Sequence, residues 1–204
     1  KMDLQLIKKI EYNKKKLSDY VNINNGIVTG NDKKFILTDI VDFNSKKCIT
    51  GKNIGRYQIK SFKGYLNYQP SKLLRPRNRK IFDSKEKLIM QMININLVLA
   101  YDKNQLYNLG TTYAITMKTK DLNIKSILAI LNSTLLNYYY KKKFTNQSSL
   151  TNAISTKNLF EFPISEISKN VEDTLISLVD KIINCYNKFS KILIDQEKII
   201  QKKQ

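Results

Sequence analysis

The sequence predicts an α/β chain of the α+β kind, in which a twisted, mostly antiparallel sheet carries packed helices and a long C-terminal helix follows. Three observations lead there. Residues 17–117 read as short β-rich runs divided by Gly, Asn, Asp and Lys clusters. From Asn123 the apolar period becomes helical. Residues 171–202 contain no Gly or Pro, so nothing interrupts a single helix there.

The elements follow in order. Residues 2–10, with Met2, Leu4, Leu6, Ile7 and Ile10, suggest a short amphipathic helix before the basic run Lys14, Lys15 and Lys16. Strands are expected at 17–23, 34–38, 54–59, 64–68, 88–93, 97–101 and 111–117. Residues 70–80 read as an exposed loop, because Pro76 discourages regular structure. Ile124, Ile127, Leu128, Ile130, Leu131, Leu135 and Leu136 form the wide apolar face of one helix. It runs into Lys141, Lys142 and Lys143, whose charges suit a helix C-terminus. A short helix at 156–160 and an extended piece around Pro163 come next. In the last helix Leu175, Leu178, Ile182, Cys185, Phe189, Ile192 and Ile199 trace an a/d-like seam, interrupted by Gln196, over about 48 Å. The 204 residues, 42% of them hydrophobic, thus divide into a globular domain at 1–168 and a helical extension at 169–204.

Charge narrows the function. Lys and Arg number 36 against 17 Asp and Glu, a formal charge of +19, which points to a polyanion and first to nucleic acid. An AT-rich coding bias inflates Lys, Asn, Ile and Tyr together, but it should inflate Glu as well, so the excess of cations keeps its meaning. Little of it belongs to residues 169–204, where seven Lys meet five Asp and Glu; the basic surface is therefore globular. The absence of His removes imidazole bases, His-dependent triads and His-containing metal sites. Cys48 and Cys185, far apart and without a CxxC, read as reduced core thiols of a cytoplasmic protein. No apolar run approaches the roughly 20 residues of a membrane span, and no signal-peptide pattern opens the chain. Lys1 is not an initiator methionine, as expected of a fragment.

Several stretches carry candidate chemistry. The run Gly26-Ile27-Val28-Thr29-Gly30-Asn31-Asp32-Lys33-Lys34 joins two expected strands, and its glycines suit either a hairpin connection or a close approach to phosphate. It lacks the P-loop spacing, so nucleotide hydrolysis is not expected. A similar turn at Gly51-Lys52-Asn53-Ile54-Gly55-Arg56-Tyr57 sets Lys52, Asn53 and Arg56 together. Amide, ammonium and guanidinium groups are the usual readers of base edges and phosphates. All four arginines fall at 56–79, while 32 lysines are scattered; Arg75, Arg77 and Arg79, with Lys80, alternate along one segment. If extended, that segment would present three guanidinium forks on one edge; the alternative is a solvated loop paired with Asp83 and Glu86. Tyr138, Tyr139 and Tyr140 beside Lys141, Lys142 and Lys143 could stack bases, or simply close a helix on its sheet. No carboxylate pair matches a nuclease site, and neither an Asn-Pro-Pro-Tyr motif nor a glycine-rich S-adenosylmethionine motif is present.

Taken in order, LSD (17–19), GIVTGNDKKFIL (26–37), GKNIGRY (51–57), LLRPRNRKIF (73–82), KLIMQMI (87–93), LVLAYD (97–102), TTYAITM (111–117), SILAILNSTLLNYYYKKKF (126–144) and FPISEI (162–167) give the chain its likeness. It resembles the target-recognition domain of restriction-modification enzymes, specifically the TaqI-like C-terminal specificity domain of type IIG adenine-N6 DNA methyltransferases. The resemblance implies a module that grips double-stranded DNA opposite a methyltransferase domain, in cis or in trans, into which the adenine is flipped. It carries Thr29, Asn31, Lys33, Lys34, Lys52, Asn53, Arg56, Arg75, Arg77, Arg79 and Lys80 over as DNA-binding candidates, with Lys141, Lys142, Lys143, Asn146 and Gln147 as weaker ones. It implies no cofactor in this chain and S-adenosylmethionine for a parent enzyme that methylates adenine, with or without an endonuclease activity. Three alternatives stay open: half of a type I specificity subunit, an RNA-binding accessory protein, or an assembly module working through the long helix.

Overall fold

The computed structural model describes residues 2–144 and 153–201. The chain opens with α1 (Met2–Glu11), β1 (Lys15–Lys16), α2 (Leu17–Tyr20) and β2 (Val21–Asn25). A strand-rich middle follows: α3 (Asp32–Phe35), β3 (Ile36–Leu37), β4 (Ser45–Ile49), β5 (Ile54–Gly55), β6 (Gln58–Ile59) and β7 (Gly64–Asn67). Then come α4 (Arg79–Phe82), β8 (Lys87–Gln91), β9 (Leu99–Asp102), β10 (Tyr107–Asn108) and β11 (Thr112–Met117). The helical end comprises α5 (Ile124–Asn132), α6 (Thr134–Phe144), α7 (Thr156–Phe160), β12 (Pro163–Ile164) and α8 (Lys169–Gln201).

The α+β class holds, but the strands divide into two principal sheets. The first, in the order β2-β11-β8-β9, is antiparallel throughout. The second, β10-β4-β7-β3, is antiparallel except where β10 runs parallel to β4. Side-chain alternation in β8 explains how the layers meet. Leu88 and Met90 point into a core closed by Ile127, Leu128 and Leu131 of α5, Tyr139 of α6 and Phe162. Ile89 points the other way, onto Ile49, Ile54, Val98, Ala100 and Leu106. A third cluster, around Phe35, Cys48, Leu66, Phe82 and Tyr107, belongs to the second sheet. Burial pushes the Cys48 thiol up to about 11, so this cysteine is an inert core group. Cys185, by contrast, is exposed on α8, contrary to the core position expected for it.

Tertiary demands override local pattern in several places. Residues 17–20 turn as a helix because the Asp19 carboxylate accepts the Lys16 backbone N–H at 2.8 Å. Asn31 caps α3 in the reverse sense, its side-chain oxygen accepting the Lys34 N–H at 3.1 Å, and so displaces the strand expected from residue 34. The single helix expected across 124–143 breaks at Ser133. There the buried Asn132 amide donates to the Leu99 carbonyl at 3.0 Å and accepts the Leu99 N–H at 3.1 Å. Asn137 accepts the Leu97 N–H at 2.7 Å, so two asparagines, with the Tyr57 N–H that also donates to the Leu99 carbonyl, meet the start of the β9 edge that no strand pairs. Helix α8 buries Val179 and rests Ile183 on the core, while Leu178, Phe189 and Ile192 of the expected seam are exposed. Among the described residues no helix is long and apolar enough to cross a membrane.

One ion pair is entirely inside. Lys87 Nζ lies 2.6 Å from Asp102, directly across the β8–β9 ladder, and neither side chain is exposed. The ammonium also donates to the Phe82 carbonyl at 2.9 Å, and the carboxylate accepts the N–H groups of Asn104 and Leu106 at 2.8 and 2.9 Å. Burial pushes the Lys87 ammonium down, and Asp102 opposes that shift. Lys87→Met leaves a buried carboxylate without its cation, and we predict a loss of about 3 to 5 kcal/mol in urea unfolding. Lys87→Met/Asp102→Asn should recover part of this, since no charge is then buried alone; equal losses in the single and double variants would refute the account.

Helix α1 is clasped to α6 by charge. Asp3 accepts from the Tyr138 hydroxyl at 2.5 Å and from Lys142 at 2.8 Å, and Glu11 receives Tyr139 and Lys143. Hydrogen bonds from Lys142 and Tyr138 hold Asp3 below its ordinary 3.8. For Glu11, burial works against ionisation, but the bonds from Lys143 and Tyr139 outweigh it and hold the group below its ordinary 4.5. Folded values below the unfolded ones mean that the clasp contributes fully above the ordinary range and fades only as pH falls beneath it. Hydrogen exchange of the α1 amides should therefore be unchanged between pH 7 and 5, after correction for intrinsic rates, and lose protection below about 4.

Candidate nucleic-acid interface

Two of the segments that stood out in sequence line one cleft of about 700 Å³, and the third begins beside an adjoining depression that shares Thr29 with it. The first is the loop 26–31. Gly26 donates to the Thr112 carbonyl and Ile27 to the Asn108 carbonyl, both at 2.9 Å. The approach is so close that a Cβ on Gly26 would stand 2.1 Å from the Leu109 oxygen, which only glycine permits. Thr29 is buried and donates to Asp32 at 2.6 Å, and Asp32 also holds Lys63 at 2.6 Å. Burial resists ionisation of Asp32, yet the bonds from Lys63 and Thr29 prevail and hold its carboxyl below the usual range. Asn31 caps α3 through Lys34, leaving Lys33 and Lys34 exposed on that one-turn helix.

The second segment is the 3-10 turn Gly51–Asn53. Asn53 accepts from both the N–H and the hydroxyl of Thr50 and donates to Ser61, so its amide shapes the turn. Gln91, on the central strand β8, donates to the carbonyls of Gly51 and Ile54 at 2.8 Å each, and Gly51 donates to the Thr111 hydroxyl. Lys52 stands exposed at the tip.

The third segment departs from the expected extended edge. Arg75 and Val28 exchange backbone hydrogen bonds at 2.9 and 3.1 Å, with the Arg75 side chain exposed. Arg77 then adopts φ 61° and turns inward, its Nε donating to the Gly26 carbonyl at 3.4 Å, while the Tyr68 hydroxyl donates to the Arg77 carbonyl at 2.9 Å. Asn78 caps α4, and Arg79 pairs with Asp83 at 2.7 Å, a carboxylate also held by Tyr107. The three guanidinium groups therefore do not share an edge, because a left-handed residue and a helix interrupt the alternation.

Thr29, Lys52 and Asn53 thus line the cleft, together with Asp32, Lys63, Gln91 and Thr111. Thr29, Asn31 and Lys34 also line an adjoining depression of about 380 Å³ with Lys72 and Leu74. Lys63, Lys72, Gln91 and Thr111 were not singled out in sequence; no spacing separates these two lysines from the other thirty. Arg56 does not line the cleft: its guanidinium donates to the Asn132 carbonyl at the end of α5 and lies 5.9 Å from the Tyr57 ring. Exposed Lys80 sits on α4. Lys142 and Lys143 belong to the α1 clasp, and Lys141 lies beside them on α6. Tyr139 and Tyr140 are core residues, so the three tyrosines form no stacking platform. Asn146 and Gln147 fall outside the described residues.

Known proteins place this geometry. The type I restriction-modification S subunit from M. genitalium superposes with a TM-score of 0.54 at 14% identity, covering 98% of this chain and 47% of that one. The HsdS subunit from Thermoanaerobacter tengcongensis gives 0.50 at 10% identity, over 94% and 44%. A third structure, concerned with assembly and conformational transition of the type I restriction-modification system, gives 0.50 at 11%, over 98% and 48%. At such identities the likeness is one of fold, and this chain spans about half the length of each. No curated protein matches the chain. Residues 46–164, which run from β4 to β12 and include the cleft residues from Thr50 to Thr111, match a family profile across more than half of the chain, and the protein belongs to the TaqI-like C-terminal specificity domain family.

Proposed function

We propose that this chain is the duplex-DNA recognition module of a restriction-modification enzyme, and that it positions an adenine for N6 methylation by a methyltransferase domain outside it. One observation carries the reading: loop 26–31 borders both a cleft closed by turn 51–53, with Lys52 and Lys63 in its lining, and an adjoining depression walled by residues 71–74, with Lys34 and Lys72 in its lining, on a chain of charge +19. Cations on short, internally bonded loops suit phosphates, whose contacts set register while base edges are read beside them. Once the duplex is gripped, the adenine leaves the stack for the methyltransferase domain. S-adenosylmethionine belongs to that domain. The cleft does not fit it, since Asp32, Asn53 and Gln91 already direct their polar atoms to protein partners. The compartment this implies is the cytoplasm, where the DNA is.

The family match over residues 46–164 supports the type IIG parent. A second parent, half of a type I specificity subunit, is favoured by the extent of the structural likeness, which covers 98% of the chain and so includes α8. The RNA-binding alternative loses its support with the burial of Tyr139 and Tyr140.

Salt titration tests the reading. The full chain should prefer a random-sequence DNA duplex to single-stranded RNA, with affinity falling steeply in salt. Lys33→Ala/Lys34→Ala/Arg75→Ala should flatten the log-log slope by roughly 2 to 3, whereas Lys181→Ala/Lys188→Ala on α8 should leave it alone. An unchanged slope in the triple variant, or tighter binding to the single strand, would overturn the assignment.

A further inference from the structure

Leu74 stands apart from its surroundings. It is 67% exposed, and it lines the same depression as Lys34 and Lys72, with Arg75 next in the chain. A single exposed leucine is ordinary on a protein surface. This one is held in place. Its N–H donates to the Thr29 carbonyl at 3.3 Å, and the Val28–Arg75 backbone pair follows at once, so both sides of the residue are fixed to loop 26–31. Alternation sends Leu73 into the core and Leu74 outward. Behind it Gly30, at φ +81°, leaves room: a Cβ there would stand 3.2 Å from that of Leu74. The result is a branched apolar group at a fixed position among cations.

From this arrangement we infer that Leu74 is a specificity-determining residue that packs on the C5 methyl of a thymine in the bound duplex. The inference rests on the DNA reading and names one contact within it. Apolar side chains are the natural partners of that methyl, the only apolar group on a major-groove base edge, while the flanking cations take the phosphates. A wedge between base pairs suits a side chain at a protruding tip. Leu74 instead forms the wall of a depression, backed by Gly30, which favours lateral packing on a base edge. Lys34 and Lys72, by the same placement, account for affinity without sequence preference.

The test begins with the wild-type full chain, used to select its preferred duplexes from a randomised DNA pool. Each thymine of the selected site is then replaced singly by deoxyuridine, which removes only the methyl. One replacement is expected to weaken wild-type binding about fourfold, the effect of one buried methyl. Leu74→Ala should bind the thymine and uracil versions equally, and should keep the wild-type salt slope because no cation is lost. If every uracil duplex binds wild type as well as its thymine parent, or if Leu74→Ala keeps the full discrimination, Leu74 is not the reader although duplex recognition stands. Selection without any sequence preference overturns the Leu74 assignment as well. Failure to bind duplex at low salt overturns the recognition module itself, and the Leu74 contact with it.

Discussion

The buried pair of Lys87 and Asp102 is the constraint on which the rest of the structure depends. Two unit charges without water are costly to hold, and they persist here because each has further partners: the Phe82 carbonyl for the ammonium, two backbone N–H groups for the carboxylate. Those partners tie the two sheets together. Phe82 ends α4, just after the arginine segment, and the Asp102-capped turn leads directly into β10, the edge of the second sheet. The pair also fixes register. A slip of one residue between β8 and β9 would separate the charges and turn Leu88 and Leu99 away from their core.

From that anchor the candidate interface is assembled by backbone hydrogen bonds. Thr112, the first residue of β11, and Asn108, the last of β10, receive Gly26 and Ile27, and the loop so placed receives Leu74 and Arg75. Gln91, four residues along from Lys87 on the same strand, holds the turn at Gly51. The exposed lysines and Arg75 therefore ride on a chain of contacts that leads back to the first sheet. Their spacing is a property of the fold rather than of flexible side chains alone, which is what a surface matching the fixed spacing of phosphates requires.

Legibility in the sequence followed burial. Strands β8, β9 and β11 were readable because Leu88 to Met90, Leu99 and Ala100, and Tyr113 to Ile115 are apolar on both faces, as strands between two layers must be. Strand β4 was not, since Ser45, Lys46 and Lys47 precede its only two buried residues, Cys48 and Ile49. The break at Ser133 was invisible for another reason: the apolar period continues through it, and only the edge of β9 explains why α5 stops once Asn132 has reached Leu99. At the site, the loops themselves were legible from glycine and asparagine content. The roles of their side chains were not, because an Asn that caps a helix and an Asn that reads a base look alike in sequence. Here Asn31 and Asn53 cap. The alternating arginines misled for a similar reason, since nothing local announces that Arg77 takes a left-handed conformation to reach Gly26.

What emerges is a separation of tasks between side chains that hold the loops and side chains that face outward. Thr29, Asn31, Asn53, Arg77 and Gln91 satisfy backbone or side-chain partners inside the domain, and Gly26 is required by a contact no other residue could make. Lys33, Lys52, Lys72, Leu74 and Arg75 are exposed. Replacing a member of the first set reshapes a loop; replacing a member of the second changes the chemistry presented on an unchanged loop. A recognition domain built this way can exchange its contacts without refolding. If the outward positions are the ones that meet DNA, as proposed, their backbone is already fixed by the inward set, and a change of recognised sequence made there costs the fold least.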